Sequence, residues 1–209
     1  MGSLTMLVAT LILTGSAAAQ QSIHQVDFGN FVYPLSGPLL GHHGLVWLDP
    51  SQSRREIRLV AGSDLKKTSS FVMDGREYVQ YEGFKLDFVK FADLTGDGRD
   101  EAIVVLRYLS GGSQTSNYVY VHTFEDGHPK LLAYCHTGDR PYSGLYGVNG
   151  RGGTLVFEWF DADHRSGDCR SSGVIVRRFK WQGNRFEPIG VPEHRAIAAP
   201  VSIPPGING

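Results

Sequence analysis

The chain has 209 residues, of which 41% are apolar and 20% charged, with a formal net charge of −1. That length supports one domain with a real core, and the composition excludes a disordered chain. The near-zero charge lacks the basic surplus of a nucleic-acid binder, so no nucleic-acid partner is expected. The 26 glycines and 10 prolines call for many turns, as short-stranded proteins do.

The first nineteen residues read as a secretory signal. Leu4 to Thr14 is an apolar stretch of h-region length, and Ala17 and Ala19 form an A-x-A pattern before Gln20. A membrane-spanning helix needs about 20 apolar residues, so no span is expected in the mature chain. The chain is therefore expected to be secreted or periplasmic.

From there strands and turns fit almost everywhere, and no stretch shows a capped 3.6-residue apolar period. Val26 to Tyr33 reads as a strand stopped by Pro34. Residues 34–55, with Gly41-His42-His43-Gly44 and Asp49-Pro50, read as a long irregular connection. Glu56 to Val60 alternates polar and apolar. Ser70 to Met73 and Glu77 to Tyr81 flank Asp74-Gly75, a hairpin signal that Asp126-Gly127 repeats between Asn117–Phe124 and Lys130–Tyr134. Phe84, Leu86 and Phe88 alternate with Lys85 and Asp87, which predicts one apolar face from Phe84 to Ala92. Leu155 to Phe160 follows the loop Asn149 to Gly153, and Val174 to Trp181 and Arg185 to Ile189 flank Gly183-Asn184. The fold class is all-β: an antiparallel meander forming a sandwich, a barrel or propeller-like blades. Residues 20–190 are expected to make one β domain, and the Pro/Ala/Gly-rich residues 191–209 a flexible tail.

One segment carries recognisable chemistry. Asp93-Leu94-Thr95-Gly96-Asp97-Gly98-Arg99-Asp100-Glu101 sets oxygen-bearing side chains at positions 1, 3, 5 and 9, with a glycine at position 6. Calcium takes six to eight oxygens at about 2.3–2.6 Å, and alternate residues of a tight turn can supply them. Asp93, Asp97 and Glu101 would give charge, Thr95 a hydroxyl and Arg99 its carbonyl oxygen. The segment is not an ordinary EF-hand: position 12 is Val104, and the flanks read as strands. Strand, Asp-x-x-Gly-Asp-Gly-x-x-acid, strand resembles the FG-GAP/VCBS family of β-propeller repeats of secreted and cell-surface proteins. The resemblance covers Lys90 to Leu106, with Thr95 where those repeats carry Asn or Asp. It implies calcium as a cofactor at Asp93, Asp97 and Glu101. One such loop does not imply a complete propeller.

Cys135 and Cys169 are the two cysteines. In an oxidising compartment they are expected to pair, stabilising the fold by about 3–4 kcal/mol. A Cys135 nucleophile served by His136 is geometrically poor, because neighbours on a strand point to opposite faces. His42-His43 are taken as loop residues, and Asp161 to Asp168 as a solvated turn. The loop after Cys135 holds Asp139 and Tyr142; with Tyr146 and Trp159 these could hold a sugar or a peptide. The expected role is a non-catalytic binding or adhesion module with a glycan or an envelope protein as partner. The alternative is a calcium-dependent hydrolase of polymers using Glu158 with Asp161 or Asp163.

Overall fold

A computed structural model describes residues 22–36, 46–112, 114–138, 144–161 and 172–197. The proposed leader, His42-His43, Asp139, Tyr142, Asp163 and Cys169 lie outside the described residues. Twelve strands follow one another: β1 (Val32–Leu35), β2 (Val46–Leu48), β3 (Arg55–Arg58), β4 (Lys66–Met73), β5 (Arg76–Ala92), β6 (Glu101–Ser110), β7 (Thr115–Glu125), β8 (His128–Thr137), β9 (Leu145–Gly150), β10 (Thr154–Phe160), β11 (Gly173–Trp181) and β12 (Phe186–Ala196). Two single 3-10 turns, Ile23–Gln25 and Pro50–Gln52, are the helical content of the described residues. None is long and apolar enough to cross a membrane.

The sheets are antiparallel and stack as a sandwich rather than closing into a barrel. One has six strands in the order β2-β8-β7-β6-β5-β4, another four in the order β12-β11-β10-β9, and β1 pairs with β3. The six-stranded sheet is the middle layer. One of its faces buries Ala102, Val104, Leu106, Tyr118, Tyr120 and Tyr134 against Tyr33, Leu35, Ile57 and Leu59 of the β1–β3 side. The other buries Ile103, Val105, Val119, Val121 and Cys135 against Val148, Leu155, Phe157 and Phe179 of the four-stranded sheet. β6 and β7 are thus apolar on both faces, which is why they read as continuous hydrophobic runs.

The turns follow local chemistry. Asp74 and Gly75 take positive φ (51° and 73°), as do Asp126 and Gly127 (51° and 82°), the geometry that joins two strands in a two-residue hairpin.

Four boundaries differ from the sequence reading, each for a physical reason. β1 runs through Pro34, which is tolerated because β1 pairs on one side only. β5 shifts register between Leu86 and Phe88, so Asp87 is an extra residue. The bulge swaps faces: Phe84 and Leu86 pack into one core and Phe88 into the other. The connection 34–55 contains β2, held by pairs Val46 to His136 through Leu48 to Tyr134. β12 continues past Ile189 into the expected tail, through Gly190 and Pro192 to Ala196, as an edge strand with a register shift that absorbs them. The sheets approach closely at Gly150, where a Cβ would collide with the Cβ of Ala92.

His122 sits in an aromatic nest. Its ring centroid lies 5.5 Å from that of Phe28 and 5.4 Å from that of Phe31, and its Nδ1 is buried without a hydrogen-bond partner. Burial holds its pKa down from 6.5 to about 3, so the folded protein keeps it neutral. The unfolded chain binds a proton below pH 6.5 and the folded chain does not, so stability is present above that value and drains away as pH falls toward 3. Urea denaturation should show this residue removing about 2 kcal/mol between pH 7 and pH 5, at roughly 1.4 kcal/mol per unit. His122→Phe should lack that share of the acid sensitivity; an unchanged pH slope would contradict the buried neutral imidazole.

Candidate functional site

The segment Asp93 to Asp100 joins β5 to β6, with Glu101 opening β6. Gly96 and Gly98 take φ of 80° and 83°, left-handed values that let the chain bend sharply at both positions. Asp93 anchors the reversal: its Oδ1 accepts from the Gly96 amide at 2.6 Å and its Oδ2 from the Gly98 amide at 3.0 Å. Asp97 accepts from the Arg99 amide at 2.9 Å through Oδ1 and from the Arg99 Nε at 2.9 Å through Oδ2. The Arg99 hydrogen bonds hold the Asp97 carboxyl below its ordinary range, and the pair is solvent-exposed.

Glu101 is different. It is fully buried, with four donors around its carboxylate. Oε2 accepts from the Leu94 amide at 2.7 Å and the Thr95 amide at 3.0 Å; Oε1 accepts from the hydroxyls of Thr95 at 3.3 Å and Thr123 at 3.2 Å. Burial raises its pKa, and the two amides and the Thr123 hydroxyl partly offset that rise. Glu101 therefore ties the start of the loop to β6 and β7. Asp100 turns away and meets His24 Nε2 at 2.8 Å.

The five expected ligands are all oxygen donors on one nine-residue turn, and that donor set suits a hard cation. Asp93, Asp97 and the Thr95 hydroxyl would hold calcium with the Arg99 carbonyl and Glu101. In the structure each carboxylate is satisfied by protein donors, and among the described residues no three acidic, His or Cys side chains converge on a point.

The cysteine and aromatic candidates separate. Cys135 is fully buried between the two large sheets, where burial raises its thiol pKa, and its expected partner Cys169 is outside the described residues. His136 is on the other face, its ring 4.6 Å from Tyr118, so the two cannot act as nucleophile and base. Tyr146 is exposed on the outer face of the four-stranded sheet, 5.4 Å from Phe160, while Trp159 points inward. Tyr146 and Trp159 thus share no surface. The acids of the hydrolase alternative are also separated: Glu158 pairs with Arg195 at 2.8 Å and buried Asp161 with His194 at 2.8 Å. Arg195 and His194 are successive residues of β12 and so face opposite ways.

Trp159 belongs instead to a cleft of about 790 Å³ between the sheets, walled by Trp47, Phe179, Phe186 and Pro188. Trp47 stacks on Phe186 at 5.9 Å and meets Phe179 edge-on at 5.3 Å. Into this cleft points Arg177, half-buried, its guanidinium 5.7 Å from the Phe179 ring centroid. Its Nε is buried and takes no hydrogen bond. The signal was in the sequence: Arg177 sits in phase with Ile175 and Phe179, on the apolar side of its strand.

No protein family, curated protein or solved structure matches the chain.

Glu101 separates a structural from an ionic role. Glu101→Ala strands the buried Leu94 amide and the part-buried Thr95 amide, and each lost buried partner costs about 1–3 kcal/mol. Urea denaturation should therefore show a loss of roughly 2–5 kcal/mol. Glu101→Gln keeps an acceptor for the amides and should lose less than half as much. Equal losses would mean that the charge, not the hydrogen bonds, holds the loop.

Proposed function

We propose that this chain is an exported, non-catalytic binding module that takes an acidic sugar of a glycan in the Trp159–Arg177 cleft and carries calcium at the β5–β6 loop. The observation that carries the reading is the half-buried Arg177 with no acidic partner among the described residues. A desolvated guanidinium is costly unless an anion pairs with it, and its planar fork suits a carboxylate. Trp47, Trp159 and Phe186 add flat apolar faces of the kind on which sugar rings stack. The apolar leader with its A-x-A pattern supports export. The tied-up state of Glu158 and Asp161 favours binding over the hydrolase alternative.

Calcium at the loop rests on the donor set and on the resemblance to FG-GAP/VCBS repeats, whose flanking strands correspond here to β5 and β6. The ion would replace the exposed Asp97–Arg99 pair, which contributes little on its own. Its role would be to brace the corner.

Two measurements test the reading. Calorimetric binding of an oligogalacturonate should be detectable, binding of the neutral oligogalactan should be absent, and Arg177→Gln should weaken the acidic ligand about tenfold or more. Equal binding of the neutral and acidic sugars would overturn the assignment to Arg177. For the loop, Ca²⁺ in the weak extracellular range, with Kd of about 10⁻⁴–10⁻³ M, should raise the melting temperature by several degrees at saturation. Asp97→Ala should abolish the rise and Asp100→Ala should leave it. Identical melting curves in EDTA and in millimolar Ca²⁺ would remove calcium from the proposal and leave the cleft untouched.

A further inference from the structure

The hairpin β4–β5 extends beyond the sandwich. All eight residues of β4 are exposed, as are the first three of β5. β4 ends the six-stranded sheet, and no described strand pairs with its outer edge. The register Phe71 to Tyr78 and Val72 to Glu77 sorts the side chains by face. Phe71 stacks on Tyr78 at 5.5 Å on one face, with Met73 beside them; Val72 and Tyr81 lie on the other. Phe71, Val72, Met73, Tyr78 and Tyr81 are between 39% and 71% exposed. A two-stranded ribbon with apolar residues on both faces cannot bury either by itself, and an isolated hairpin is only marginally stable in water. Its outer edge also leaves a row of backbone donors and acceptors facing solvent.

We propose that β4 pairs antiparallel with β4 of a second copy of this chain, about a two-fold axis at Phe71. That register uses the straight half of the strand, Ser69 to Met73, and avoids the register shift between Lys67 and Ser69. It sets Phe71 against Phe71 of the second copy, with both Tyr78 rings alongside, and it satisfies the open edge. Charge favours the same partner. The arm carries Lys66, Lys67 and Arg76 against Asp74, Glu77 and Glu82, so it is neutral overall. The basic pair lies at one end of β4 and Asp74 at the other, so antiparallel pairing sets Asp74 of one copy opposite Thr68 of the other, next to Lys67. Asp74 and Glu77 near the tip disfavour insertion into a lipid bilayer, which would bury them. The pairing is symmetric and therefore closes at a dimer.

Sedimentation velocity of the purified protein from about 1 to 100 µM should show a monomer passing to a dimer. Phe71→Lys sets two lysines face to face on the axis and should weaken the dimer about tenfold or more, while Phe71→Tyr should keep it. Position 71 is exposed, so circular dichroism of both variants should match the wild type. A monomer across the whole range overturns the proposal. So does a dimer that Phe71→Lys leaves unchanged, or binding of the wild-type arm to anionic lipid vesicles in place of self-association.

Discussion

Everything in this protein hangs on two strands that bury both faces. β6 and β7 sit at the centre of the six-stranded sheet, and residues 102–106 and 118–121 are inaccessible to solvent. A strand with one apolar face can be satisfied by one covering layer. A strand with two needs a layer on each side, and the chain supplies the β1–β3 pair for one and the four-stranded sheet for the other. Close-packed interiors tolerate little volume change, so both layers are fixed in register to this centre. The near contact of Gly150 with Ala92 marks how closely the outer sheet seats against it.

The β5–β6 loop inherits its order from the same centre. Glu101 is the first residue of β6, and the residues after it are anchored in both cores. Its carboxylate is carried into a buried position where only hydrogen-bond donors make it tolerable. The amides of Leu94 and Thr95 and the hydroxyl of Thr123 provide them, so the loop folds back onto the strand that follows it. Asp93 and Asp97 then organise the exposed half. The acids divide their labour by depth: the buried Glu101 ties the loop to β6 and β7, the half-buried Asp93 holds its reversal, and the exposed Asp97 pairs with Arg99.

The all-β class was legible because turn chemistry is local. Asp74-Gly75 and Asp126-Gly127 need only their own dihedrals to announce a hairpin, and both hairpins form there. What depends on distant partners was not legible. The Asp87 bulge reverses the faces of β5 because Phe88 is needed against the four-stranded sheet, which alternation within one strand cannot reveal. Pro34 and Pro192 look like strand breakers, but each falls on a strand with a free side. The acids of the loop were visible from spacing alone. Their separation into a buried Glu101, a half-buried Asp93 and an exposed Asp97 follows from the way the loop folds back onto β6 and β7. The cleft needed both sheets: Trp47 and Trp159 are 112 residues apart in sequence, and only the packing of β2 over β10 and β11 brings them together with Arg177.

The two long sheet edges are managed in opposite ways. β12 closes the four-stranded sheet with two prolines, a register shift and the ion pair of Arg178 with Glu193 at 2.6 Å. Those devices remove donors, twist the edge and set charge on it, which is how sheet proteins avoid unwanted pairing. β4 has Lys66, Lys67 and a register shift, all at its first residues. From Ser69 to Met73 it is straight, uncharged and rich in large apolar side chains. A chain that protects one edge so thoroughly and leaves half of the other open is not short of means to protect it. The asymmetry assigns different roles to the two ends of the sandwich: β12 is built to stay single beside the cleft, and β4 is built to be joined.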